Sequence, residues 1–169
     1  MKRSFSDLAP QEALHVAILI EQRNADIYSR FAEMFTEFGD EESLEVGAVF
    51  WEMAIEERGH HELLQQKYTA QYGSEECSLS EEDLVELIEV PRLESSDLFA
   101  EQSSPATARS RALQVAVDAE TAAQRYYAEL VRHTPPGPLH DVYQGLAEME
   151  DGHVALLAAK INEATEATT

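Results

Sequence analysis

The chain has 169 residues, 44% of them hydrophobic and 27% charged, which suits a single domain, residues 1–169, with a sizeable core. A formal net charge of −21 argues against nucleic acid and anionic membranes as partners and in favour of cations. Apolar runs fall short of the roughly 18 residues of a membrane span, and the lone cysteine, Cys77, rules out an intrachain disulfide, a zinc finger or a thiolate-ligated iron centre.

The N-terminal stretch MKRSFSDLAPQEAL has two basic residues but no apolar signal core, so a cytoplasmic location is expected. A first helix is predicted over 10–38, with Leu14, Ile18, Glu21, Ala25, Tyr28, Ala32 and Phe35 on one stripe. Pro10 suits its first turn, and Gly39 ends it. A second helix over 41–72 carries Val46, Phe50, Met53, Glu57, His60 and Leu64 on its stripe, and Gly73 stops it. The stretch 73–105 is acidic, rich in serine and broken by Pro91 and Pro105. Within it SEEDLVELIEV fits a short amphipathic helix capped by Ser80, and the rest reads as a long connection. A third helix over 106–133 aligns Leu113, Ala116, Glu120, Ala123, Tyr127 and Leu130. TPPGP, Thr134 to Pro138, breaks the chain. A fourth helix over 139–162 aligns Leu146, Glu150, His153 and Leu157, and the EATEATT tail is expected to fray. Long helices with two short links and one long crossover make an all-α four-helix bundle, with no strand expected.

Each stripe contains a glutamate: Glu21, Glu57, Glu120 and Glu150. A buried carboxylate costs several kcal/mol unless it is paired, protonated or bound to a metal. No matching set of inward lysines or arginines is present, whereas two divalent cations would balance four carboxylates. Glu57 with His60, and Glu150 with His153, form E-x-x-H pairs, and the three-residue step puts both side chains on one helical face. Each pair can thus offer an oxygen and a nitrogen to a metal at the bundle centre. One such pair is common on acidic helices by chance; two of them, alternating with two lone inward glutamates, are not. The halves of the chain also repeat. EQRNADIY (Glu21 to Tyr28) parallels ETAAQRYY (Glu120 to Tyr127), and EERGHHELLQQK parallels MEDGHVALLAAK, as expected of two helical hairpins related by a pseudo-twofold axis.

With these motifs the chain resembles the ferritin-like di-iron carboxylate superfamily over all four helices, and most closely its rubrerythrin branch without the rubredoxin domain. The resemblance implies a ferritin-like bundle holding two iron ions, with manganese an alternative metal. It implies that Glu57 and Glu150 bridge the metals, that Glu21 and Glu120 are terminal ligands, and that His60 and His153 each cap one metal. The activity implied is that of an oxidoreductase reducing hydrogen peroxide in oxidative-stress defence. A ferroxidase of the ferritin type, acting with dioxygen in iron storage or detoxification, is the alternative; a di-iron oxygenase and a manganese catalase fit less well. Some features depart from the pattern. No C-x-x-C motif is present, so electrons would come from an external donor protein. Ala123 stands where rubrerythrins tend to carry a further glutamate. Arg58 follows Glu57 where bacterioferritins place a haem-ligating methionine, so no haem is expected. The tail is too short for the fifth helix of a cage ferritin. A homodimer is expected, with or without exchange of hairpins.

Tyr28 and Tyr127 lie two turns beyond the lone glutamates and either hydrogen-bond carboxylates behind the ligands, carry radicals or simply pack. Trp51 is expected to pack in the core. Glu56 and His61 fall about 100° from the ligand stripe, at the rim or in solvent, and His15, His133 and His140 fall outside the constellation.

Overall fold

A computed structural model of the chain describes residues 5–74, 77, 79 and 104–166. It is an all-α four-helix bundle built from α1 (Pro10–Phe38), α2 (Glu41–Tyr72), α3 (Pro105–His133) and α4 (Pro138–Glu166), preceded by one 3-10 turn at Phe5–Asp7. The predicted boundaries of α1 and α2 agree with the structure. The third helix starts one residue earlier than expected, with Pro105 as its first residue, and the fourth starts one residue earlier, at Pro138. The expectation of a frayed tail from Glu163 is corrected: α4 continues through Glu166. Its alanines and glutamates are good helix formers, and no glycine or proline follows Asn162 to stop it. The short amphipathic helix expected at SEEDLVELIEV lies outside the described residues.

The helix ends have local causes. Pro10 stands at the first position of α1, where the Glu12 carboxylate accepts the backbone N–H of Ala9 at 2.9 Å. Gly39, at φ 70°, takes the left-handed conformation that closes α1. Asp40 then caps α2 by accepting the backbone N–H of Ser43 at 3.0 Å. Only Gly39 and Asp40 separate α1 from α2, and only 134–137 separate α3 from α4, so each pair folds back as an antiparallel hairpin. The hairpins meet chiefly across α1 and α3. Tyr126 on α3 donates its hydroxyl to the Ala13 carbonyl at 2.9 Å. Arg109, also on α3, reaches Asp40 and the Ser43 hydroxyl, each at 2.9 Å, and pairs with Glu42.

The predicted stripes are the buried faces, Val46 alone being only half-buried. Their apolar residues form two separate clusters. One gathers Leu14, Ile18, Leu64, Tyr127, Leu130 and Leu146; Leu79 also belongs to it, and Cys77 packs against it. The other gathers Phe31, Phe35, Phe50, Met53, Leu113 and Leu157. Between the two in sequence order, on every helix, stand the acidic and histidine residues. Trp51 is a correction: it is 50% exposed, with the Arg58 guanidinium over its ring. Phe50 and Met53 take the inward positions of that turn, which leaves position 51 pointing outward.

Candidate metal centre

The layer between the apolar clusters is polar and closed. Glu21, Glu57, Glu120 and Glu150 are wholly buried, while His60 and His153 keep 6% and 7% of their surface exposed. All six residues predicted as ligands therefore face the bundle interior. They fall into two groups, Glu21, Glu57, His60 and Glu150 on one side and Glu57, Glu120, Glu150 and His153 on the other. Within each group the offered oxygen and nitrogen atoms lie within 4.8 Å of one another. Glu57 and Glu150 belong to both groups.

The tyrosines cross between hairpins. Tyr28 on α1 donates its hydroxyl to Oε1 of Glu120 on α3, and Tyr127 on α3 donates to Oε1 of Glu21 on α1. Each lone glutamate is thus held by one oxygen while its other oxygen faces a histidine. Glu21 Oε2 lies 3.2 Å from His60 Nδ1, and Glu120 Oε2 lies 3.3 Å from His153 Nδ1. The hydrogen bonds expected from Tyr28 and Tyr127 run not to carboxylates behind the ligands but to the lone glutamates themselves. Burial and the neighbouring carboxylates push both phenols well above the ordinary tyrosine value, so they stay donors.

Glu57 and Glu150 are different. Among the described residues neither oxygen of either side chain has a hydrogen-bond partner. His153 Nδ1 approaches Glu57 Oε1 to 3.2 Å, close enough to attract but not aligned as a hydrogen bond. Four buried acceptor oxygens without donors, in a layer that has no lysine or arginine, are what cation ligands leave when protons alone must balance them. The protonation pattern follows. Burial, reinforced by Glu57, pushes Glu21 well up; burial and Glu120 do the same to Glu150. Burial works against the charge on Glu57 too, but the adjacent His153 and His60 rings outweigh it and hold its carboxyl at about 2. Burial opposes charge on the histidines, yet Glu21 and Glu57 raise His60 to about 10, and Glu120, Glu150 and Glu57 raise His153 strongly. Without metal the cluster keeps protons as its counter-charge, and a divalent ion would displace them.

Compared with protein-family models, with curated proteins and with solved structures, the chain has no match. The donor set therefore speaks through its own chemistry. Carboxylate oxygens with one imidazole nitrogen per group suit hard and borderline divalent metals better than soft ions that prefer thiolates. Glu21, Glu57, His60, Glu120, Glu150 and His153 fit a pair of such metals in number and burial, and Glu57 and Glu150 also in their unpartnered oxygens.

Two residues near the site escaped the periodicity. Asn24, three residues after Glu21 on α1, is buried, and its Nδ2 has no partner among the described residues; an amide near the inward stripe was the available signal. Glu56, expected only at the rim, has a half-exposed side chain, but its Oε2 lies 2.8 Å from His153 Nε2. Its position beside Glu57 hid it, since the contact runs to another helix. His61 and His15 are half-buried, His133 is exposed, and none of the three joins either ligand group. No helix among the described residues is long and apolar enough to cross a membrane.

Proposed function

We propose that this chain is a rubrerythrin-like di-iron oxidoreductase of the ferritin-like type that reduces hydrogen peroxide. The observation carrying the reading is that two four-residue ligand groups share Glu57 and Glu150, whose four oxygens accept no hydrogen bond among the described residues. In this reading Glu57 and Glu150, which belong to both groups, would serve both metals, Glu21 with His60 would serve one of them, and Glu120 with His153 the other. Two bound ferrous ions would supply the two electrons that convert one peroxide and two protons into two waters. The chain's own residues hold the ligands and exclude bulk water. Tyr28 and Tyr127 fix one oxygen of each lone glutamate, so the other stays turned toward the cluster. The apolar clusters on either side limit solvent to the histidine side, where the only exposed ligand surface lies. An external donor protein would return the electrons.

Iron oxidation for storage is the second reading. It is favoured by Ala123 in place of a further glutamate and by the acidic side chain of Glu56 reaching from solvent to His153. The test is anaerobic titration of metal-free protein with ferrous ion to saturation, followed by oxidation with hydrogen peroxide or with dioxygen. About two irons per chain and faster oxidation by peroxide support the peroxidase. Faster oxidation by dioxygen, with many irons turned over per chain, supports the ferroxidase. Binding well below two per chain defeats both.

A further inference from the structure

Resting on the two-metal reading, we infer that Glu56 is a positioning residue that makes the two metal positions unequal, so that the one served by His153 fills first and the one served by His60 fills second. The observation is an asymmetry between two otherwise matching histidines. His60 and His153 occupy equivalent places in the repeated motif, and their rings stack at 26° with centroids 6.2 Å apart. Both turn Nδ1 toward the carboxylates: His60 to within 3.2 Å of Glu21, and His153 to within 3.3 Å of Glu120. They differ at the other nitrogen. His153 Nε2 lies 2.8 Å from Glu56 Oε2. His60 Nε2 is buried and has no partner among the described residues.

A neutral imidazole carries one proton, and the nitrogen without it is the one that can ligate. Glu56, an acceptor, holds the proton of His153 on Nε2 and so keeps the Nδ1 lone pair free for a metal. This is the carboxylate–histidine–metal arrangement that fixes tautomer and ring orientation and raises ligand basicity. Among the described residues His60 has no such acceptor. To present Nδ1 to a metal it must place its proton on a buried nitrogen with nothing among the described residues to receive it. The repeat explains the difference. The residue before Glu57 is Glu56, whereas the residue before Glu150 is Met149, whose side chain offers only a weak acceptor. Loss of a partner of this kind typically lowers metal affinity by about 10–100-fold, and the two positions should differ by that factor.

The test is calorimetric titration of the metal-free protein with Co²⁺, followed in parallel by the visible absorption of bound cobalt. The expected result is two steps of one ion each, separated well beyond the statistical factor for equal sites. His153→Ala should remove the tight step and His60→Ala the weak one. Glu56→Ala should weaken the first step by about 10–100-fold and merge the two. Glu56→Gln, whose amide oxygen still accepts from Nε2, should recover most of the tight step, and Met149→Glu should tighten the second. Thermal melts of the metal-free variants establish that each is folded, and Glu56 and Met149 are exposed enough to be replaced without opening the core. Two ions bound with one affinity would overturn the inequality while leaving the two-metal site standing. A tight step that survives Glu56→Ala, or that is lost in His60→Ala instead, would overturn the role of Glu56. Failure of the unaltered protein to take up two ions would instead defeat the two-metal reading beneath it.

Discussion

Tyr28 and Tyr127 each satisfy one oxygen of a buried glutamate on the opposite hairpin. Replacing either with Phe leaves that oxygen without a donor in a site closed to water, at a cost of about 1–3 kcal/mol. Urea denaturation of the metal-free Tyr28→Phe and Tyr127→Phe variants should register this loss. Glu150 behaves in the opposite sense. Among the described residues its oxygens accept no hydrogen bond, so Glu150→Leu removes a desolvated acid and should stabilise the metal-free protein by roughly 1 kcal/mol while weakening metal binding at both positions, since Glu150 belongs to both ligand groups. A metal-free melt and a metal titration of the same sample check both halves. The six inward residues were legible in the sequence because a charge on an apolar stripe contradicts its surroundings. Glu56 was not, since an exposed acid on an acidic helix contradicts nothing. Its significance depends on where α4 places His153, which periodicity within α2 cannot report.

Glycines on the helices separate close contact from open space. A Cβ at Gly47 would lie 3.2 Å from the Cβ of Phe35 and 3.5 Å from the Ala32 carbonyl oxygen, whereas at Gly59 and Gly152 it would meet nothing within 4 Å. Gly47→Val should therefore force α1 and α2 apart and cost about 1–3 kcal/mol. Gly59→Ala and Gly152→Ala should each stabilise by up to about 1 kcal/mol through helix propensity alone. Thermal melts of the three variants distinguish the two cases. The turn before α2 adds a pH dependence. The Ser43 hydroxyl and backbone, with Arg109, hold the Asp40 carboxyl below its ordinary 3.8. A lowered folded value means that the contribution is complete above 3.8 and fades as pH falls through it. The gap in melting temperature between the parent chain and Asp40→Ala should accordingly be larger at pH 6 than at pH 3. Helix positions could be read because glycine and proline punctuate a clear period. Trp51 misled because size and apolarity suggest burial, whereas phase on the helix decides it. The end of α4 misled because small polar residues look like a tail yet favour a helix once its preceding turns are packed.

For the molecule as a whole, a ligand that binds only the folded bundle raises its stability by mass action. A divalent metal at about 100 times its dissociation constant adds about 2.7 kcal/mol, so the melting temperature should rise with added Fe²⁺ or Mn²⁺ and fall back on chelation. The fold was legible because four stripes and two short links leave few ways to bury the apolar faces. The relation of the hairpins was less so, since nothing local specifies how one sits along the other. The buried face of α3 presents Ala108, Ala112, Ala116, Ala119 and Ala123 to the rest of the bundle. Alanine knobs repeating nearly every turn resist a shift of one turn, about 5.4 Å, less than the larger Leu113, Tyr127 and Leu130 of the same face do. Such a slide exceeds the 4.8 Å span of each ligand group and would part Glu57 from Glu150. The carboxylate layer is thus the index mark of the bundle, fixing a sliding position that the alanines alone would hold weakly.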